Sequence, residues 1–225
     1  MRYRLALTTP PTSEPVTLDE AKLHFYETDS VQDTVVDGMI KTARVEAENF
    51  TSRGFLPQTF TMYLDGFPGA AFHRSRNGLY SREGWELALI LLSHSGEITI
   101  PRAPLIQNGS LGIDFIKYID TTGAQQTLDP TLYQVDPQSD DEPVRIFPAY
   151  GKVWPATRPQ PNAVTIQFQV GYADAAHVPE PIKQAIKESV ASWYNNRDAV
   201  VVDVRVGVQQ LPGEAKDRLM DFKLF

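Results

Sequence analysis

The sequence contains no cysteine, which excludes a disulfide framework, a thiolate metal site and a cysteine nucleophile together. Histidine is scarce: His24, His73, His94 and His177 are scattered with no metal-ligand spacing. GxSxG, HExxH, Walker and GxGxxG patterns are all missing, so no local signature places a nucleophile, a zinc ion or a phosphate. Long apolar runs are missing as well. The longest, Leu87 to Leu92, falls far short of the roughly 20 residues of a membrane span. The N-terminal MRYRLALTTPPTSEP has only a brief apolar stretch before two prolines, too little for a signal-peptide core; the chain is expected to be soluble. Positive charge is in deficit, with 21 Lys and Arg against 28 Asp and Glu for a net charge of −7. Nucleic-acid wrapping needs cations to neutralise phosphates, so that class is disfavoured, although an acidic surface suits DNA that slides past.

What is present is a chain of 225 residues, long enough for one large domain or two small ones. Residues 1–16 are Pro- and Thr-rich and read as an extended arm. Thr17-Leu18-Asp19-Glu20 is a capping-box pattern, which predicts a short helix to about Tyr26. Asp29 or Ser30 offers the next N-cap. From Val31 to Arg53, Val35, Val36, Met39, Ile40, Ala43, Ala47 and Phe50 recur at helical spacing, with Asp33, Asp37, Lys41, Arg44 and Glu48 assigned to the opposite, solvated face,. Gly54 stands where a left-handed C-cap is wanted, Pro57 prevents continuation, and Gly38 mid-helix is read as marking a close helix contact.

The apolar period then changes from 3.6 to 2. Phe60, Met62 and Leu64 alternate with Thr59, Thr61 and Tyr63, and further strands are expected at Glu97 to Ile100, Leu105 to Gln107, Ile113 to Ile119, Leu132 to Val135, Val144 to Phe147 and Val164 to Val170,. Such short strands indicate an antiparallel unit rather than βαβ repeats. The stretch Val178 to Val200 returns to helical spacing: Pro179 and Pro181 suit a first turn, and Ile182, Ala185, Ile186, Val190 and Trp193 form one stripe,.

Three segments invite a functional reading. In residues 70–96, Arg74, Arg76 and Arg82 with Tyr80 and Trp85 read as a solvated tip in preference to a nucleic-acid patch. Tyr80, Trp85, Leu87, Leu89 and Leu91 there suit an apolar hairpin that pairs with a neighbouring subunit. The acidic run Asp136 to Glu142 lacks EF-hand order and its central Gly, and reads as a solvated turn. After Val200, Val202, Val204, Val206 and Val208 alternate with polar residues as in a half-buried strand. Beyond Pro212-Gly213 comes an amphipathic piece bearing Leu219, Met220, Phe222, Leu224 and Phe225. This segment is either an arm that docks on a partner, the preferred reading, or a tail folded back on its own domain. As an arm, residues 201–225 are expected to be removable without unfolding the rest.

Several phrases together resemble one family, the head-tail connector or adaptor proteins of tailed phages, also found in gene transfer agents. They begin with Val16-Thr17-Leu18-Asp19-Glu20-Ala21-Lys22, Ala47-Glu48-Asn49-Phe50-Thr51-Ser52-Arg53 and Leu56-Pro57-Gln58-Thr59. They continue with Leu64-Asp65-Gly66-Phe67-Pro68, Ile100-Pro101-Arg102-Ala103-Pro104-Leu105, Tyr118-Ile119-Asp120 before Gly123, Leu128-Asp129-Pro130 and Tyr133-Gln134-Val135. Arg145-Ile146, Pro148-Ala149-Tyr150-Gly151, Trp154-Pro155-Ala156-Thr157-Arg158, Gly171-Tyr172, Val178-Pro179 and Trp193-Tyr194-Asn195-Asn196-Arg197 complete the series. Their number and order, rather than any one of them, make the resemblance specific.

The resemblance implies an α+β fold. Residues 1–16 would be an N-terminal arm, 17–56 the first helices of a helical body, 57–172 an inserted antiparallel β-domain, 173–200 the closing helix and 201–225 the docking arm. It further implies a non-catalytic virion protein with no cofactor and no metal, assembled in the host cytoplasm. The subunits would form a ring, usually a dodecamer, under the portal protein. Double-stranded DNA would pass through the lumen without specific binding, and the far side would meet a stopper, tail terminator or tail-tube protein. Residues 70–96 are longer than the usual connection, and 201–225 match nothing firm in the family. The alternative within the neck is a tail terminator or stopper. Outside it, a hydrolase using Asp140, Asp141 or Glu142 and a DNA-binding packaging factor are weighed and disfavoured, for want of a motif and by the acidic balance.

Overall fold

The computed structural model describes residues 3–27, 29–68, 96–106, 112–136, 143–196 and 211–224. The chain forms two compact units, one of residues 10–58, 102–104 and 170–225 and one of residues 1–9, 59–101 and 105–169.

The first unit is helical. Helix α1 (Leu18–His24) starts on the expected capping box: the Thr17 hydroxyl accepts from Glu20 N at 3.2 Å, and Glu20 Oε2 accepts from Thr17 N at 2.8 Å. These two bonds satisfy donors that a helix start otherwise leaves open. Helix α2 (Asp33–Thr51) buries Val36, Ile40, Ala43 and Ala47 as its spacing predicts. Its ends differ from expectation. Gln32 is the N-cap without a side-chain bond, while Asp29 accepts from Val31 N in the preceding turn. The left-handed C-cap is Ser52 at φ 58°, not Gly54. Gly54 is demanded by packing instead, since a Cβ there would sit 2.7 Å from Val170 Cγ2. Gly38 lies in open space, so no close helix contact explains it. Val35 is exposed, whereas Arg44 and Glu48, assigned to the solvated face, are buried.

Helix α3 (Glu180–Asn195) buries Ile182, Ala185, Ile186, Val190 and Trp193. Ser189 joins this stripe because its hydroxyl donates to Ala185 O at 2.7 Å, leaving no unpaired polar atom in the core,. Helix α4 (Gly213–Met220) packs on α2 and α3, and Leu211, Ala215 and Leu219 enter the same core. The described part of the expected arm, residues 211–224, thus supplies core side chains to the helical unit.

The second unit is built on strands β1 (Tyr3–Thr9), β2 (Gln58–Leu64), β3 (Ile98–Thr99), β4 (Ile113–Ile119), β5 (Gln125–Thr127), β6 (Tyr133–Asp136), β7 (Arg145–Pro148) and β8 (Val164–Val170). A five-stranded sheet has the order β1-β2-β8-β4-β5, and a three-stranded sheet the order β3-β7-β6. Strand β8 alternates buried and half-buried residues as read from its period,. The expected N-terminal arm begins as an edge strand, β1, with Tyr3 opposite Leu64 and Leu7 opposite Phe60. Nearly every residue of β1 is exposed, so the alternation of Tyr3, Leu5 and Leu7 marks no buried face. Strand β5 is wholly polar and equally silent in sequence. Leu105 and Ile106 form no strand; Ile106 N donates to Gln169 O instead. At the Asp120–Gly123 turn, the Asp120 carboxylate accepts from the Thr122 hydroxyl, Gln126 Nε2, Ala124 N and Thr122 N, which lowers its pKa to about 2. Phe67 stacks on Trp154 at 4.8 Å, and Trp154 Nε1 donates to Gly96 O at 2.6 Å.

Gly171, just after β8, has φ 124° and its absent Cβ would lie 2.2 Å from Leu56 O. Both the backbone angle and the space exclude a side chain. Gly171→Ala is expected to cost more than about 2 kcal/mol, read as a lower urea midpoint at unchanged slope.

Candidate functional site

Among the described residues no group of three His, Asp or Glu is placed to hold a metal ion, and no helix is long and apolar enough to cross a membrane. The densest polar constellation is instead the C-terminal turn of α2. Arg44 Nε contacts Glu14 Oε2 at 2.7 Å and Arg44 Nη1 contacts Glu48 Oε2 at 2.8 Å. The other Glu48 oxygen accepts from Phe55 N at 3.0 Å and Gln58 Nε2 at 2.7 Å. Arg102 Nη1 donates to the Glu48 carbonyl at 2.6 Å, and its Nη2 to Asn49 Oδ1 at 2.8 Å. The buried Arg53 donates through Nε to Phe222 O, while Leu224 N donates to Thr51 O at 3.0 Å.

One helix end thus gathers the segment before α1, the turn after α2, residues 102–104 and the C-terminal segment. Burial pushes the Glu48 pKa up; the Phe55 N–H, the Arg44 charge, the Gln58 amide and the Arg102 charge oppose that shift. Every buried side-chain polar atom among the described residues has a hydrogen-bond partner. A cluster of this kind, each buried polar atom bonded at least once, holds chain segments together,. The i, i+4 spacing of Arg44 and Glu48 was the available signal, but it is equally the mark of a solvated pair.

The sequence-read docking residues separate sharply. Leu219 and Leu224 are buried in the helical unit, Phe222 packs against its core, and only Met220 is exposed. Arg218 Nε also pairs with Glu188 across α4 and α3 at 3.0 Å. Leu219, Phe222 and Leu224, read as docking residues, are instead covered within their own unit, whose core takes Ala215 and Leu219 from α4 and Leu211 from just before it,. Val202, Val204, Val206, Val208 and Phe225 lie outside the described residues. So do the hairpin residues Tyr80, Trp85, Leu87, Leu89 and Leu91, the acidic Asp140, Asp141 and Glu142, and the exit at residues 197–200. Exposed apolar side chains that the sequence reading did not single out as surface are Leu23, Tyr26, Val31 and Val35 at the α1–α2 turn, and Tyr150 and Val153 after β7.

The sequence matches no protein-family model and no curated protein. Its fold matches solved structures over almost its whole length. A chain in the neck of an empty gene transfer agent particle, computed with C6 symmetry, superposes with a TM-score of 0.68 at 15% identity, covering 99% of this chain and 96% of that one. A chain in the virion of a native gene transfer agent particle gives 0.68 at 15% identity, with 98% and 95% covered. A chain in the neck of a native particle, computed with C12 symmetry, gives 0.62 at 16% identity, with 100% and 96% covered. The likeness is one of fold, an α+β arrangement shared with chains of gene transfer agent particles at 15–16% identity.

Glu48→Ala is expected to cost about 3–5 kcal/mol, because it leaves the Phe55 N–H and part of the Arg44 charge buried without a partner. Glu48→Gln keeps an acceptor and costs less. A raised folded pKa means that the stabilising contribution is full below the ordinary 4.5 and is lost as pH rises through the folded value,. Wild-type stability relative to Glu48→Gln should therefore decline as pH rises above 4.5, measured by urea melts at stepped pH.

Proposed function

We propose that this chain is a structural, non-catalytic protein of a virion neck. It acts as an adaptor that forms a ring between the portal of a DNA-filled capsid and the tail. The observation that carries this is the match to gene transfer agent neck chains over nearly the full length of both partners. A fold can host many activities; what supports this one is that the correspondence runs over 96% of each neck chain. The C6 and C12 symmetries of those necks support a cyclic assembly, and a dodecamer is the reading adopted.

The chemistry of the chain supports the same reading. A net charge of −7 suits a lumen that repels the DNA backbone and so lets double-stranded DNA pass without specific binding. The saturated polar cluster on α2 serves cohesion, as a part bearing load between capsid and tail requires. The partners are further copies of the chain, the portal protein, and a stopper, tail terminator or tail-tube protein on the far side. Assembly takes place in the host cytoplasm and the finished protein sits in the virion neck. Because α4 is occupied in its own unit, portal docking falls to surfaces other than Leu219, Phe222 and Leu224.

The purified chain mixed with its portal should give annular complexes in negative stain and co-elute by size exclusion with light scattering. Failure to bind portal, with binding to the tail tube instead, would replace the adaptor by a stopper or terminator.

A further inference from the structure

The turn between α1 and α2 presents apolar side chains that the core of the helical unit does not use. Leu23 is 76% exposed, Tyr26 92%, Val31 82% and Val35 47%. They flank a turn that is firmly tied. Phe25 stacks on Tyr194 with ring centroids 4.5 Å apart, and the Tyr194 hydroxyl donates to Glu27 Oε2 at 2.6 Å. Glu27 Oε1 accepts from Asp29 N at 2.8 Å, and Lys22 Nζ meets Asp33 Oδ1 at 2.7 Å, bonding α1 to the start of α2.

Between the anchored Phe25 and Glu27, Tyr26 adopts φ 59°. That left-handed conformation is costly for a bulky residue, and Gly adopts it freely. Its backbone serves to end α1, with Tyr26 N donating to Leu23 O at 3.4 Å and Glu27 N to Lys22 O at 3.0 Å,, but the side chain is left almost fully exposed. We infer that the α1–α2 turn is a preformed knob that seats on the neighbouring copy of this chain in the ring. This rests on the ring reading above and assigns it a contact.

The occupant follows from the surface. Lys22 and Glu27 are engaged within the turn; what projects is Leu23, Tyr26, Val31 and Val35 with the exposed Asp29, Ser30 and Thr34 among them, an apolar and acidic mix that suits a protein face and not a phosphate backbone. The four side chains expose roughly 500 Å², the size of a functional patch on a monomer. That is more than half of the ~800 Å² per partner of a standard interface, enough for its apolar centre. Tyr is also the residue type that concentrates binding energy at such centres. In a cyclic ring the contact is heterologous, so the knob meets a different face of the next subunit.

The test uses the full chain with Tyr26→Gly and with Leu23→Ser combined with Tyr26→Ser. Mass is read by light scattering over a dilution series, and folding by circular dichroism melts. Expected is a ring for wild type and assembly at least tenfold weaker for both variants. Tyr26→Gly should keep or raise the melting temperature, since it relieves the strain; a residue needed for folding would lower it. Wild-type rings unaffected by either variant overturn the knob and leave the ring standing. A wild-type chain that stays monomeric alone and on portal overturns both. A photo-crosslinker at position 26 should join two copies of the chain; crosslinks to portal or tail protein alone overturn the assignment.

Discussion

The helical unit depends on one buried carboxylate. Glu48 lies one turn before the end of α2 and is shared between Arg44, the Phe55 amide and Gln58, while Arg102 caps its carbonyl. An ion pair withdrawn from water contributes little net stability, because desolvation offsets most of the attraction. Its value is geometric. The donors come from α2 itself, from the segment after it and from Arg102, so an arrangement that separates these leaves a buried charge or amide unpaired. The apolar core of α2, α3 and α4 supplies the cohesion that makes that arrangement stable,.

This division of labour gives the polar cluster on α2 a structural task. Each buried polar side-chain atom among the described residues is paired, and the pairs around Glu48 join segments of one unit. Exposed apolar side chains include Leu23, Tyr26 and Val31 around the α1–α2 turn in one unit and Tyr150 and Val153 after β7 in the other, besides Tyr3 and Leu7 on β1, Val35 and Val45 on α2 and Met220 on α4. Exposed apolar turns on a saturated body are what an assembling protein presents.

Much of this was legible before any coordinates. The Thr17–Glu20 capping box, the apolar spacing of α2 and α3 and the alternation of β8 are local patterns, and each maps onto the element it predicts. The family resemblance, carried by short phrases spread over most of the chain, anticipated a neck-type fold that superposition then matched at only 15% identity. The misses have a common cause. Strands β1 and β5 are exposed edges, so no burial alternation marks them. Arg44 and Glu48 have the spacing of a solvated pair, and only the arrival of Glu14, Gln58 and Arg102 from elsewhere buries them.

The C-terminal helix draws the line most clearly. Its amphipathic pattern was determined by sequence alone: Leu211, Ala215 and Leu219 repeat every four residues, and a stripe of that kind must be covered,. What covers it was decided only by tertiary structure, which closes α4 over α2 and α3 and ties Phe222 and Leu224 to Arg53 and Thr51. Periodicity is a property of neighbours along the chain, so it reports that a face is buried. The partner of that face is a non-local choice, made by whichever packing satisfies the most surface and polar groups at once.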